Sequence, residues 1–286
     1  MEAQSVLKVS RNKKDGYITY DELYEEYSDC EIIINTTPCG MYPKMGVSAV
    51  NLDKLPKVEA VFDAVYNPLK SKLVLDAKKK KITAVGGLYM LVSQAAYAVE
   101  RFIDAPVDNN KVEEIFKNLY KQKMNIALIG MPASGKTSVG RVLSEKLNKT
   151  FVDSDEEIIK RENRCIPEIF SQEGEGYFRN VENSVIKDIS MLNSQVISTG
   201  GGAVLNYENI ENLVGNGRVY FLDRPLEMLI TTADRPLSSN KEDLEKRYKE
   251  RYELYKASAD VIVDGSKTIE EVAKIIEEDF YEYSCN

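Results

Sequence analysis

The sequence contains no histidine, which removes His-based catalytic triads and most transition-metal sites at once. Whatever chemistry the chain performs falls to carboxylates, lysines, arginines and main-chain donors. Cysteine is scarce and scattered: Cys30, Cys39, Cys165 and Cys285 show no C-x-x-C spacing. That pattern fits a reducing cytoplasm, and neither a disulfide framework nor a zinc site. No apolar run approaches the roughly 18 to 20 residues that a membrane span needs. The start, MEAQSVLKVSRNKK, lacks the basic, apolar and small-residue layout of a signal peptide. A cytoplasmic chain without a membrane partner is therefore expected. Positive charge is short as well. The formal net charge of -8 gives no general attraction to nucleic acid. The run Lys78 to Lys81 reads as a solvated helix end before the strand ITAV.

What is present fits two α/β regions. A chain of 286 residues is comfortable for two domains, and β-rich runs alternate with helical patterns along its whole length. That alternation predicts parallel sheets covered by helices. In the first region the strand candidates are SVLKVS, EIIINTT, AVFDAV and ITAV. Helical patterns fall at TYDELYEEY, KLVLDAKKK and LYMLVSQAAYAVERFI. A polar patch, DAPVDNNK, then opens the helix VEEIFKNLYKQ, with Asp108 as its cap. A fresh strand, NIALIG, begins the second region, so the expected domains are 1–121 and 122–286. The second region continues through strands TFVDSD, QVIST, RVYFLD and DVIVDG to a last helix, which Thr268 and Glu271 start with a capping box. It has the elements of a complete small domain, whereas the first region has the aspect of a fold cut at its N-terminus.

The segment GMPASGKT, residues 130–137, fits G-x-x-x-x-G-K-[ST] between a strand and a helix. Small residues there let main-chain N–H groups converge on phosphate oxygens, and the helix N-terminus adds its dipole. Lys136 is placed to reach the β- and γ-phosphates, and the Thr137 hydroxyl to ligate Mg²⁺. This signal is strong for a nucleotide and weak for a particular reaction.

The remaining motifs are ambiguous one by one. Asp153 and Asp155 end a strand two residues apart, where carboxylates either cap a helix or serve Mg²⁺ and an attacking hydroxyl. Arg179 and Glu182 share a helical face at i, i+3, as a plain surface ion pair also does. STGGGAVL lets a backbone approach a ligand closely, or is a flexible loop. Arg235 lies in ADRPLSS, the kind of polar loop that closes over phosphates. Arg251 stands four residues before Tyr255 on a helix, where an exposed charge is the plain alternative.

Taken in order, P-loop, D-x-D, G-E-x-x-F-R (Gly174, Glu175, Phe178, Arg179), G-G-G, R-P-L and R-x-x-x-Y strongly resemble the shikimate kinase family over residues 122–286. The resemblance implies a P-loop kinase domain that uses ATP and Mg²⁺ to phosphorylate the 3-hydroxyl of shikimate. It implies ATP contacts from Ala133, Ser134, Gly135, Lys136, Thr137 and Ser138. Metal ligation falls to Thr137 and Asp153, and the acceptor hydroxyls to Asp155, which also serves as base. Arg179 and Arg251 hold the acceptor carboxylate, Gly201 closes over its ring, and Arg235 belongs to a lid over ATP. Two guanidinium forks suit one small carboxylate. The lid segment departs from the family pattern, since Thr231 and Thr232 stand where a further arginine is often found.

In the first region, NTTPCGM, DAVYNP and GGLYMLVSQA resemble the C-terminal portion of shikimate dehydrogenase over residues 5–105. The resemblance implies a Rossmann-like region with Thr37 and Gly87 near NADP and Tyr66 and Gln94 near shikimate. Ser10 and Arg11 then lie near the adenosine 2′-phosphate, a role an arginine after the second strand can fill. The Gly-rich pyrophosphate loop and the family's catalytic Lys and Asp have no counterpart, and Lys44 has the wrong context to replace that Lys. The expectation is an inactive remnant, with NADP binding only if the missing front were present. Rival readings are another P-loop kinase of a small metabolite, a nucleotide-binding regulatory module, and a bifunctional dehydrogenase–kinase represented by a fragment.

Overall fold

Short Ile- and Val-rich runs bounded by turn residues become strands, and the amphipathic segments between them become helices. The computed structural model describes residues 5–229 and 241–283, the side chains of 241–243 excepted. The chain divides into two compact units, Met1–Asp104 and Ala105–Asn286. Every ladder between strands is parallel in both.

In the first unit the order is α1 (Tyr20–Glu26), β1 (Ile32–Asn35), β2 (Ala60–Asp63), α2 (Lys72–Lys79), β3 (Thr83–Val85) and α3 (Leu88–Ile103). Thr19 and Glu22 close a capping box on α1, which satisfies two N–H groups the helix leaves open. The sheet runs β1-β2-β3. Its core is Val61 with Leu23, Leu52, Leu55, Leu73 and Ala77. SVLKVS, expected as a strand, makes only a bridge from Val9 to Ile18. The physical reason is the ladder: Ser10 N–H donates to Ile18 and Ile18 N–H to Lys8, so this segment pairs with its own return. It joins none of the three strands.

The second unit runs α4 (Asn109–Lys123), β4 (Asn125–Ile129), α5 (Lys136–Leu147), β5 (Thr150–Asp153), α6 (Ser154–Glu162), α7 (Ile166–Met191), β6 (Gln195–Ser198), α8 (Tyr207–Asn216), β7 (Gly217–Asp223), α9 (Lys241–Ser258), β8 (Val261–Asp264) and α10 (Ile269–Tyr283). Its sheet order is β5-β6-β4-β7-β8. All five residues of the central β4 are buried, as a strand covered on both faces requires. Ala127, Ile129, Ile197, Val219 and Phe221 join one core with α7 and α8, while α5 and α10 pack on each other. The caps read from the sequence form: Asp108 accepts from Asn110 N–H, and Thr268 and Glu271 exchange their bonds.

The domain join differs from the sequence reading. Helix α4, placed before the domain join on sequence grounds, is counted with the second unit. Lys149 fastens its end by donating to the carbonyls of Lys121, Gln122 and Met124 at 3.1, 3.2 and 2.8 Å. The long α7 is broken at Gly174, whose φ of 82° is not helical. Nothing crowds this glycine, so backbone conformation and not space demands it.

Candidate active site

The C-terminal ends of β4, β5 and β6 lie along one edge of a parallel sheet, where open α/β sheets hold their ligands. The loop after β4 turns through left-handed backbone at Ala133 (φ 66°) and Gly135 (φ 94°), and α5 starts directly at Lys136. The N–H groups of its first turn have no helical partner. Lys136 is buried and folds over this loop, donating to the carbonyls of Gly130 at 2.9 Å and Met131 at 2.8 Å.

Beside it, the Thr137 hydroxyl donates to Asp153 Oδ2 at 2.9 Å and lies 3.4 Å from the Ser198 hydroxyl. The other oxygen of Asp153 caps α6 by accepting Asp155 N–H at 3.0 Å. The two readings of the D-x-D pair, helix cap and site carboxylate, thus hold together for Asp153. Asp155 sits against the glycine loop: a Cβ built on Gly200 would stand 2.5 Å from Asp155 Oδ1. Ser154, which the sequence reading passed over, accepts the Gly200 N–H at 2.9 Å and ties that loop to α6.

Arg179 opens the stretch of α7 beyond the Gly174 break. Its Nη1 donates to Glu182 at 2.7 Å, and its Nη2 and Nε donate to Glu175 at 3.0 and 3.3 Å. Glu182 is 1% exposed while the Glu175 side chain is 59% exposed, so this is no plain surface pair. Burial lifts the Glu182 carboxyl above its ordinary value, with Arg179 opposing the rise and Asp155 adding like charge. Burial also works against the Arg179 charge, but Glu182 and Glu175 outweigh it and hold the guanidinium above its usual value.

The glycine triplet is wedged among these groups. A Cβ on Gly201 would stand 2.7 Å from Pro132 of the phosphate loop, and one on Gly202 would overlap the Arg179 guanidinium. A side chain at Gly201 would run into Pro132, and one at Gly202 would displace the Arg179 guanidinium. Arg251, on α9, donates to the Gly201 carbonyl at 3.0 Å. Its Nε is buried with no hydrogen-bond partner, an unsatisfied donor of the kind a ligand can fill. Arg224, also absent from the sequence reading, has a buried Nε in the same condition. Its Nη1 lies 3.8 Å from where a Gly135 Cβ would be.

The structure therefore brings Lys136, Thr137, Asp153, Asp155, Arg179, Gly201 and Arg251 to one edge of the second sheet. Arg235, Thr231 and Thr232 lie outside the described residues. In the first unit, Thr37, Tyr66 and Gly87 follow the C-terminal ends of β1, β2 and β3. Gly87 has no room for a side chain beside the Ala64 backbone. Thr37 donates to Asn35 at 2.7 Å, Asn35 to Asp63 at 2.9 Å and Ser71 to Asp63 at 2.5 Å, so buried Asp63 wires these loops together. Gln94 is exposed on α3 and Arg11 is exposed near the start.

A five-stranded parallel sheet with a phosphate loop after its central strand, two carboxylates after the next and two arginines converging on a glycine loop defines a P-loop phosphotransferase for a small anionic acceptor. Comparison with known proteins narrows this class. A shikimate kinase family model matches residues 132–280. A shikimate kinase of Clostridium botulinum (strain Eklund 17B / Type B) is 44% identical over 154 residues, 52% of this chain and 93% of that protein. The solved shikimate kinase from Acinetobacter baumannii in complex with shikimate aligns with a TM-score of 0.55 at 31% identity, covering 58% of this chain and 98% of that one. The chain belongs to the shikimate kinase family. A further match, to a chorismate mutase/shikimate 5-dehydrogenase fusion protein from Clostridium acetobutylicum, has 40% identity and a TM-score of 0.36. It covers 39% of this chain and 43% of that one.

Proposed function

We propose that the second unit transfers the γ-phosphoryl group of ATP to the 3-hydroxyl of shikimate, with the residues at this sheet edge in the following roles. Main-chain N–H groups of 133–138 cradle the phosphates, and Lys136 leaves its loop carbonyls to neutralise charge on the β- and γ-oxygens. Asp155 orients the 3-hydroxyl and takes its proton as the oxygen attacks phosphorus and the bond to the β-bridging oxygen breaks. Arg251 and the Nε/Nη2 edge of Arg179 grip the acceptor carboxylate, which replaces exposed Glu175 while buried Glu182 keeps Nη1. Gly201 lies against the acceptor ring. Arg235, outside the described residues, is assigned to ATP.

Thr137 and Asp153 suit Mg²⁺: a hydroxyl and a carboxylate in contact are hard oxygen donors beside the phosphate loop. Magnesium takes few protein ligands and completes its shell with phosphate and water. Among the described residues no cluster of three or more acidic or thiol groups forms a metal cage, and a phosphate-shared ion needs none. Thr137 and Asp153 would hold the ion, which would supply positive charge against the charge developing on the transferred phosphoryl group.

The observation that carries this reading is the convergence on Gly201. Arg251 contacts its carbonyl, Pro132 of the phosphate loop packs against its Cα, and Asp155 lies against the neighbouring Gly200. The first unit is read as a Rossmann-like region related to shikimate dehydrogenase, with Arg11, Thr37, Tyr66, Gly87 and Gln94 as its NADP and shikimate contacts. Because α4 is fastened to the kinase side, the functional join is better set at 104/105 than at 121/122. Scattered free thiols suit a reducing cytoplasm, and among the described residues no helix is long and apolar enough to cross a membrane. The test follows ADP release with ATP on the full chain, with and without shikimate. Shikimate-dependent ADP release is expected; shikimate-independent ADP release would overturn the kinase reading.

A further inference from the structure

The Gly201 carbonyl accepts two donors. Arg251 Nη1 reaches it at 3.0 Å, and the Tyr255 hydroxyl, one helical turn further along α9, reaches it at 2.5 Å. A carbonyl has two lone pairs, so both bonds can be held together. The two donors differ in what they are free to do. Arg251 is the group placed to take the acceptor carboxylate, and an anion at its unpartnered Nε competes with the Gly201 carbonyl for the guanidinium. Tyr255 is held fast. It is 1% exposed, and its ring stacks on Phe221 with centroids 5.0 Å apart and planes 17° apart. Phe221 is itself buried in β7, its Cδ2 3.6 Å from where a Cβ on Gly130 of the phosphate loop would be.

We infer that Tyr255 is a positioning residue for the acceptor: its hydroxyl holds the Gly201 carbonyl in place so that Arg251 can give its donors to the substrate carboxylate. This rests on the reading of Gly201 and Arg251 as acceptor contacts. With Arg251 as the sole clamp, the arriving substrate would loosen the glycine loop it needs. A second, immobile donor removes that conflict. The loop sits between Pro132 and Arg179, so its position also sets the space left for the acceptor ring. Burial pushes the Tyr255 phenol up to about 12, so it remains a donor throughout the neutral range.

The test is Tyr255→Phe in the full chain, which keeps the ring and its stack and removes the hydroxyl alone. Losing one such bond predicts a rise of about three- to tenfold in KM for shikimate. KM for ATP stays within about twofold of the parent, since no ATP contact is touched. Amide exchange at Gly200 and Ala203 in the unliganded protein is expected to quicken, a readout independent of turnover. A general structural role would instead lower the melting temperature and kcat and move both KM values together, which overturns the proposal. Arg179→Lys and Arg251→Lys are measured alongside. If they raise the shikimate KM while Tyr255→Phe changes neither KM nor exchange, the positioning role alone fails. If none of the three raises it, the acceptor-site reading fails and the role of Tyr255 fails with it.

Discussion

Replacing Arg179 with lysine keeps one positive charge and removes the planar fork. In the unliganded protein Nη1 serves Glu182 at 2.7 Å and the Nε/Nη2 edge serves Glu175. A single ammonium cannot serve both directions. Glu182 is buried, and a buried carboxylate left without its partner costs about 3–5 kcal/mol, so Glu182 takes the ammonium. The acceptor carboxylate then loses charge-assisted bonds worth about 2–3 kcal/mol. At 1.36 kcal/mol per factor of ten, that is a rise of about 30- to 150-fold in KM for shikimate. KM for ATP stays within about twofold. The fold survives because Glu182 remains paired, whereas Arg179→Ala strands it and lowers the melting temperature sharply. The assay is coupled ADP release, titrating shikimate at saturating ATP and then ATP at saturating shikimate. An unchanged shikimate KM, or a rise confined to ATP, would refute the assignment of the Nε/Nη2 edge to the acceptor.

Lys136→Ala removes the cation from the phosphate loop, and turnover is expected to fall about a hundredfold or more; turnover within about threefold of the parent would show that the phosphates bind elsewhere. A chain beginning at Ala105 is expected to keep kinase turnover, while one beginning at Gln122 loses Tyr120, whose phenol burial pushes up in pKa beside Tyr283, Asp260 and Arg218. That loss of about 2–3 kcal/mol corresponds to a melting temperature lower by about 5–10 °C, and equal melting curves would return the join to 121/122. Asp279 accepts from Arg218 Nε at 2.8 Å, Arg218 Nη2 at 3.0 Å and the Tyr220 hydroxyl at 2.8 Å; burial opposes its charge, but these bonds hold its carboxyl below the ordinary value. Its stabilisation is therefore present above the unfolded-state pKa of about 3.9 and lost as pH falls through the lowered folded value. Asp279→Asn should cost about 1–3 kcal/mol at pH 7 and progressively less as the parent protonates; a pH-independent difference would contradict this.

The motifs that depend on local chemistry were legible in the sequence. The phosphate loop, the alternation of strands and helices and the caps at Asp108 and Thr268 rest on neighbouring residues, and the structure forms them where the pattern put them. Features that depend on distant partners were not. SVLKVS has the composition of a strand, yet a strand exists only with a ladder, and its nearest partner is its own return at Ile18. Arg179 and Glu182 were legible as a pair by their spacing, but their burial comes from the packing of α6 and α8 on α7, which spacing does not carry. Tyr255 was visible in the R-x-x-x-Y pattern, but its bond to Gly201 crosses 54 residues of sequence. Ser154 stands between two aspartates, and its bond to Gly200 crosses 46 residues of sequence. The fresh strand NIALIG sets the join after helix α4 in the sequence, whereas the clasp of Lys149 on the helix exit ties it to the second unit.

In the proposed reaction the phosphoryl group of ATP passes to the 3-hydroxyl of shikimate at the edge of the second sheet. The most direct test is to run the full chain with ATP, Mg²⁺ and shikimate and follow the product by phosphorus NMR. The account predicts a new phosphomonoester whose phosphorus couples to the proton at C3, formed in step with ADP and absent when Asp155 is replaced by asparagine. A phosphoester on another oxygen of shikimate, or inorganic phosphate released at the same rate with and without shikimate, would contradict it.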